Sequence, residues 1–140
     1  MKIYAGIFFF LLALRSGAQV PFFKSHPLAE EYLTVKVEKI YQDRQSLLWF
    51  GSTEGLFSFD GLDFQPFLKS DSTSQHVTAI YQQANGMLWI GYRDGSIYFL
   101  EKEQLVRWQP EEGTPAKAIT GFAEDNAGHF WFSTYGEGVY

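Results

Sequence analysis

Val37 to Phe59 reads VEKIYQDRQSLLWFGSTEGLFSF, and Val77 to Phe99 reads VTAIYQQANGMLWIGYRDGSIYF. The two stretches are one unit written twice, offset by 40 residues without a gap. Val37/Val77, Ile40/Ile80, Tyr41/Tyr81, Gln42/Gln82, Leu48/Leu88, Trp49/Trp89, Gly51/Gly91, Gly55/Gly95 and Phe59/Phe99 are identical. A third copy begins at Ile119, puts Trp131 in the place of Trp49 and Trp89, and reaches Tyr140 about half a repeat later.

Turn chemistry cuts each copy into short strands. In the second, Val77 to Gln83 is a strand and Ala84-Asn85-Gly86 a tight turn, because Asn and Gly both tolerate positive φ. Met87 to Gly91, Ser96 to Leu100 and Leu105 to Gln109 follow as strands, separated by Arg93-Asp94-Gly95 and by Glu101 to Gln104. The first copy turns at Asp43 to Ser46, at Thr53-Glu54-Gly55 and at Asp60-Gly61, and its last strand runs from Leu62 to Leu68. Helical periodicity is absent.

The second strand decides the architecture. Leu47-Leu48-Trp49-Phe50-Gly51 and Met87-Leu88-Trp89-Ile90-Gly91 do not alternate polar with apolar, so both faces of the sheet must be covered. Radially stacked four-stranded blades provide that, with the Trp filling the space between blades and the Gly two places on allowing close backbone approach. The expected fold is all-β, a partial β-propeller of about 2.6 antiparallel blades. Blade 1 is expected over 37–76, blade 2 over 77–118 and an incomplete blade 3 over 119–140, after a lead-in segment over 19–36. Trp49, Gly51, Gly55, Trp89, Gly91, Gly95 and Trp131 are the structural residues of the repeat. An arc shorter than a closed ring leaves faces uncovered, and Ile119, Phe122, Phe130, Trp131 and Phe132 are expected to lack a neighbour. Such a chain, expressed alone, is expected to be poorly soluble or oligomeric.

Composition supports a folded, exported domain. Of 140 residues 46% are hydrophobic and 19% aromatic against 19% charged, which is not the profile of a disordered chain. A net charge of -5 without any basic block argues against a nucleic-acid partner. The absence of Cys excludes disulfides, Cys-ligated zinc, iron–sulfur clusters and thiol catalysis. Residues 1–18 read as a signal peptide: Lys2, an apolar run from Ile3 to Leu14, then small residues at Ser16 and Ala18 that place the cut before Gln19. As a helix that run rises about 18 Å, short of a hydrocarbon core of about 30 Å, so no membrane span is expected in the mature chain. Localisation is therefore expected to be periplasmic or secreted.

Ile-Tyr-Gln-Asp, a short turn, Leu-Trp-Phe-Gly-Ser, a turn ending in Gly, then Leu-Phe-Ser-Phe-Asp-Gly resembles the two-component regulator propeller repeat. The resemblance covers Val37 to Tyr140 and departs from it at Gln83, Tyr92 and Ser133, where the repeat usually has Asp, Thr and Gly. It implies the periplasmic sensor region of a histidine kinase, often a hybrid one, of the Bacteroidetes type. Such a region works in signal transduction, detecting oligosaccharides to control gene expression. The implied partners are an oligosaccharide bound by the complete propeller, and the remaining blades and kinase region of a longer chain. The repeat is also similar to that of streptogramin lyases, which use a His base with a metal. A propeller enzyme of that kind and a stand-alone secreted binding propeller are the alternatives.

Site chemistry in the sequence is sparse. His26, His76 and His129 have no metal-ligand spacing, so neither a metal nor another cofactor is expected. No nucleophile elbow, phosphate-binding glycine loop or kinase motif is present, and no catalytic residue is expected in this chain. Asp43, Asp60, Asp94 and Asp125 fall at turns and are expected to cap backbone N–H groups. Up-and-down strand order gathers the loops Leu68 to His76, Gly51 to Gly55, Pro110 to Lys117, Tyr92 to Gly95 and Thr134 to Gly138 on one face. Glu54, Tyr92, Arg93 and Tyr135 are its ligand-binding candidates, aromatic rings for an apolar sugar face and Arg and Glu for hydroxyls.

Overall fold

The structure, a computed structural model, describes residues 24–26, 35–70, 74–111 and 113–140. The expected signal peptide, and most of the expected lead-in, lie outside these residues. Eleven strands and no helix make up the described residues. Blade 1 is β1 (Val37–Gln42), β2 (Leu48–Ser52), β3 (Gly55–Phe59) and β4 (Phe64–Phe67), hydrogen-bonded in sequence order. Blade 2 repeats it with β5 (Val77–Gln82), β6 (Leu88–Tyr92), β7 (Ile97–Glu101) and β8 (Gln104–Arg107). Blade 3 has β9 (Ile119–Glu124), β10 (Phe130–Thr134) and β11 (Gly138–Val139). All neighbouring strands are antiparallel. The chain is a partial β-propeller.

Blades meet along their first two strands, β5 against β1 and β2, and β9 against β5 and β6. The repeat glycines make this approach possible. A Cβ on Gly51 would lie 2.6 Å from Val77 Cγ1, and one on Gly91 would lie 2.5 Å from Ile119 Cγ2. Each blade thus presses a branched side chain onto bare backbone of the blade before it. Gly91→Ala is expected to cost about 1–3 kcal/mol by forcing Ile119 aside. Urea unfolding checks this, with Gly86→Ala as a partner variant whose strain comes from φ +93 alone, since its Cβ would meet nothing within 4 Å.

A second device staples the blades at the opposite end of these strands. The backbone N–H of Arg44 donates to Gln82 Oε1 (3.0 Å), and that of Ala84, its counterpart one repeat on, donates to Glu124 Oε2 (2.7 Å). Within each blade the repeat Trp is tied to the turn that precedes it. Trp49, Trp89 and Trp131 donate Nε1–H to Asp43 (2.9 Å), Gln83 (3.1 Å) and Asp125 (3.3 Å). Asp43 and Asp125 also cap their turns, accepting backbone N–H groups on Oδ1. Where Gln83 replaces Asp, capping passes to Asn85, whose Oδ1 takes the Met87 N–H at 2.9 Å. Asp60 and Asp94 cap their own turns, as the turn reading requires.

Three expectations need correction. First, the offset of 40 does not persist through the repeat: Trp49 pairs with Ser58 but Trp89 pairs with Phe99. The turn between β6 and β7 is one residue longer than that between β2 and β3. The identical letters Phe59 and Phe99 therefore sit on opposite faces of their sheets, Phe59 with Phe50 and Phe99 with Trp89. Second, in Ala84-Asn85-Gly86 only the glycine takes positive φ, at 93°, and Ser46 takes its place in blade 1 at 68°. Third, blade 3 is not generally bare. Ile119 and Phe132 are buried and Phe122 and Phe130 pack against the same cluster, because these side chains face blade 2. Trp131 points the other way and is 43% exposed. On the far side of the arc Ile40, in the register of the packed Ile80, is 68% exposed.

Candidate functional site

The turns that follow the second strand of each blade come to one face. Thr53, Arg93 and Tyr135 occupy the same place in successive blades: each donates its backbone N–H to the residue just before the blade's first strand, at Lys36, His76 and Ala118. Arg93 and Tyr135 are both exposed there, and Glu54 is exposed in the turn beside Thr53. Three of the four candidates, Glu54, Arg93 and Tyr135, thus lie on a common rim, one per blade. Tyr92 differs from the expectation of a loop aromatic. It is the last residue of β6, has no accessible surface, and packs edge-on to Tyr98 in the core between blades 1 and 2.

Polar groups outside the four ligand-binding candidates cross the joint between blades 1 and 2 at this rim. Glu38, on the bulge of β1, accepts from Lys36 Nζ at 2.9 Å and lies 2.8 Å from His76 Nε2, at the entry to β5. Hydrogen bonds from Lys36 and then His76 hold the Glu38 carboxyl at about 2, below its ordinary 4.5. Beneath the rim, Lys69 reaches from the link after β4 to Asp94 Oδ2 (2.9 Å) and Ser96 Oγ (3.2 Å) in blade 2. Its side chain is fully enclosed, with Nζ 4.4 Å from the centre of the Tyr92 ring. Burial pushes the Asp94 carboxyl up, but the bonds from Ser96 and Lys69 outweigh it and hold it below its usual range.

The Glu38 pairing predicts an acid-sensitive joint. A carboxyl ionising near 2 when folded and near 4.5 when unfolded favours folding in its charged form. Its contribution is complete above about pH 4.5 and is lost as pH falls through about 2. Glu38→Gln is expected to flatten the stability profile in that window and to leave it parallel at neutral pH. Urea midpoints measured from pH 2 to 7 check this.

Three-histidine or mixed carboxylate cages that could hold a metal do not occur among the described residues. His129 Nδ1 instead lies 2.8 Å from Asp125 Oδ2 at the exposed end of blade 3, and this contact comes first among those that hold Asp125 at about 2. No helix of the described residues is long and apolar enough to cross a membrane.

Comparison with known proteins gives no matching family model and no matching curated sequence. Solved structures do match. One is the extracellular domain of a protein described as a hybrid two-component system, BT3049, from B. thetaiotaomicron, with 26% identity over 79% of this chain and a TM-score of 0.64. The chain is built like a two-component sensor propeller. A second match, the extracellular domain of a protein described as a one-component system, BT4673, from the same organism, has 25% identity over 72% of this chain and a TM-score of 0.57. The arc spans only 16% and 14% of those two chains. Its repeat residues Trp49, Trp89, Gly51 and Gly91 lie in the packed joints between blades.

Proposed function

We propose that this chain is part of the extracytoplasmic ligand-sensing β-propeller of a two-component sensor histidine kinase, and that its ligand is an oligosaccharide whose binding controls gene expression. The observation that carries the reading is the match of the arc to the extracellular domain of a hybrid two-component system. A cleaved signal peptide over residues 1–18 and a periplasmic or secreted location agree with it. The rim supplies chemistry suited to a sugar: Tyr135 offers a ring face, while Arg93 and Glu54 offer charged partners for hydroxyls. The remaining blades and the kinase region come from a longer chain. The test is calorimetry of the complete extracytoplasmic region, expressed from the longer reading frame, against an oligosaccharide panel. Arg93→Ala with Tyr135→Ala is expected to weaken the bound sugar at least about tenfold. Binding to no sugar, or binding indifferent to both substitutions, overturns the ligand assignment. A reading frame without a kinase region overturns the sensor assignment separately.

A further inference from the structure

Blade 2 is seated on blade 1, and blade 3 on blade 2, by one repeated contact. Val77 and Ile119, at the start of each following blade, press onto Gly51 and Gly91. Among the described residues no blade lies across a third joint, yet blade 3 presents the same face. Trp131 stands where Trp49 and Trp89 stand and is 43% exposed. Asn126 stands where Arg44 and Ala84 offer their backbone N–H to the next blade. Gly121, Trp131, Ser133 and Val139 line an open hollow of about 150 Å3 on this face.

One residue breaks the repetition. Ser133 pairs with Gly121 across the strands, as Gly51 pairs with Lys39 and Gly91 with Ala79, so it holds the place of the two joint glycines. In the finished joints a Cβ at that place would fall 2.6 Å from Val77 Cγ1 or 2.5 Å from Ile119 Cγ2, closer than non-bonded carbon atoms pack. Ser133 carries that Cβ, and its Oγ is held 2.8 Å from Thr120 Oγ1. The seat that takes Val or Ile at the first two joints is filled at the third by the serine itself.

Blade 1 shows the matching half at the other end of the arc. Val37 (36% exposed), Ile40 (68% exposed) and Gln42 stand where Val77, Ile80 and Gln82 enter the first joint. Blade 1 of a second copy would therefore meet blade 3 along the same strands, head to tail, but for Val37, whose branched side chain falls on Ser133.

We propose that the open face of blade 3 docks a further blade of this repeat, one with Gly, Ala or Ser in the place of Val77 and Ile119 and with Gln or Glu five residues later to accept the Asn126 N–H. Ser133 excludes a blade that begins with a branched residue there, blade 1 of a second copy included. Continuity with two finished joints, rather than the exposure of Trp131, identifies the occupant as a blade. The inference rests on blade geometry and stands whether or not the ligand is a sugar.

Blade 1 of a second copy is the probe, because its misfit can be relieved from either side. Sedimentation equilibrium of the full chain measures self-association. Ser133→Gly reopens the seat and Val37→Ala supplies the small residue, and each is expected to tighten association at least about tenfold over the unchanged chain. Adding Ile40→Glu, at an exposed position of the arriving face, is expected to return either variant to the unchanged level. Non-specific adhesion of apolar surface gives the reverse for Val37→Ala, since that change removes apolar area. Equal association of the three chains, failure of either single change to tighten it, or persistence in the presence of Ile40→Glu overturns the proposal.

Discussion

Trp89→Ala is expected to lower stability by about 3–5 kcal/mol, because the indole fills the joint between blades 2 and 3 and nothing adjacent can take its place. Trp89 is 9% accessible and lies 5.5 Å from the Phe99 ring, 6.1 Å from Trp108 and 4.7 Å from Phe130 of the next blade. Truncation removes all three contacts and the hydrogen bond to Gln83. Trp131 is the same residue of the repeat with no following blade among the described residues, and it is 43% exposed. Trp131→Ala is therefore expected to cost less than about 1 kcal/mol. Urea unfolding of the two variants with constant slope separates them. Equal losses would show that the Trp acts within its own blade and not between blades.

That contrast shows which features could be read from one dimension. Trp and Gly recur because every joint imposes the same steric demand, so the repeat, the strands and the packing role of Trp49 and Gly51 followed from spacing. The Asp residues at turns followed as well, since an Asx turn is a local event. What spacing could not show is a one-residue change in turn length. The identity of Phe59 and Phe99 hides an inversion of facing that only the register of β3 and β7 exposes. The burial of Tyr92 escaped for a related reason: a residue ending a strand beside a turn reads as loop, yet the neighbouring blade closes over it. The links from Glu38 to His76 and from Lys69 to Asp94 join residues 38 and 25 positions apart across blades. β1 reads Val37-Glu38-Lys39-Ile40-Tyr41-Gln42, and nothing in that order sets Glu38 apart from Lys39.

Lys69→Ala is expected to cost about 3 kcal/mol, the low end for breaking a buried ion pair because Asp94 keeps some contact with water. The Lys69 side chain is fully buried, whereas that of Asp94 is 26% exposed. Removing the ammonium leaves a carboxylate whose charge only Ser96 then offsets, and it opens a void against Tyr92 and Tyr98. Lys69→Met fills that void without restoring the charge, so it is expected to recover part of the loss. The remainder measures the stranded carboxylate. Asp94→Asn removes instead the carboxylate that faces the enclosed Lys69 ammonium from blade 2, and is expected to be similarly damaging. If the pair is the unit that matters, Lys69→Met with Asp94→Asn costs less than the sum of the single changes, by about 1–3 kcal/mol in a double-mutant cycle from urea midpoints. Strict additivity would mean that the lysine serves by filling space under the two tyrosines, and that the joint between blades 1 and 2 depends on packing in the same way as the joint around Trp89.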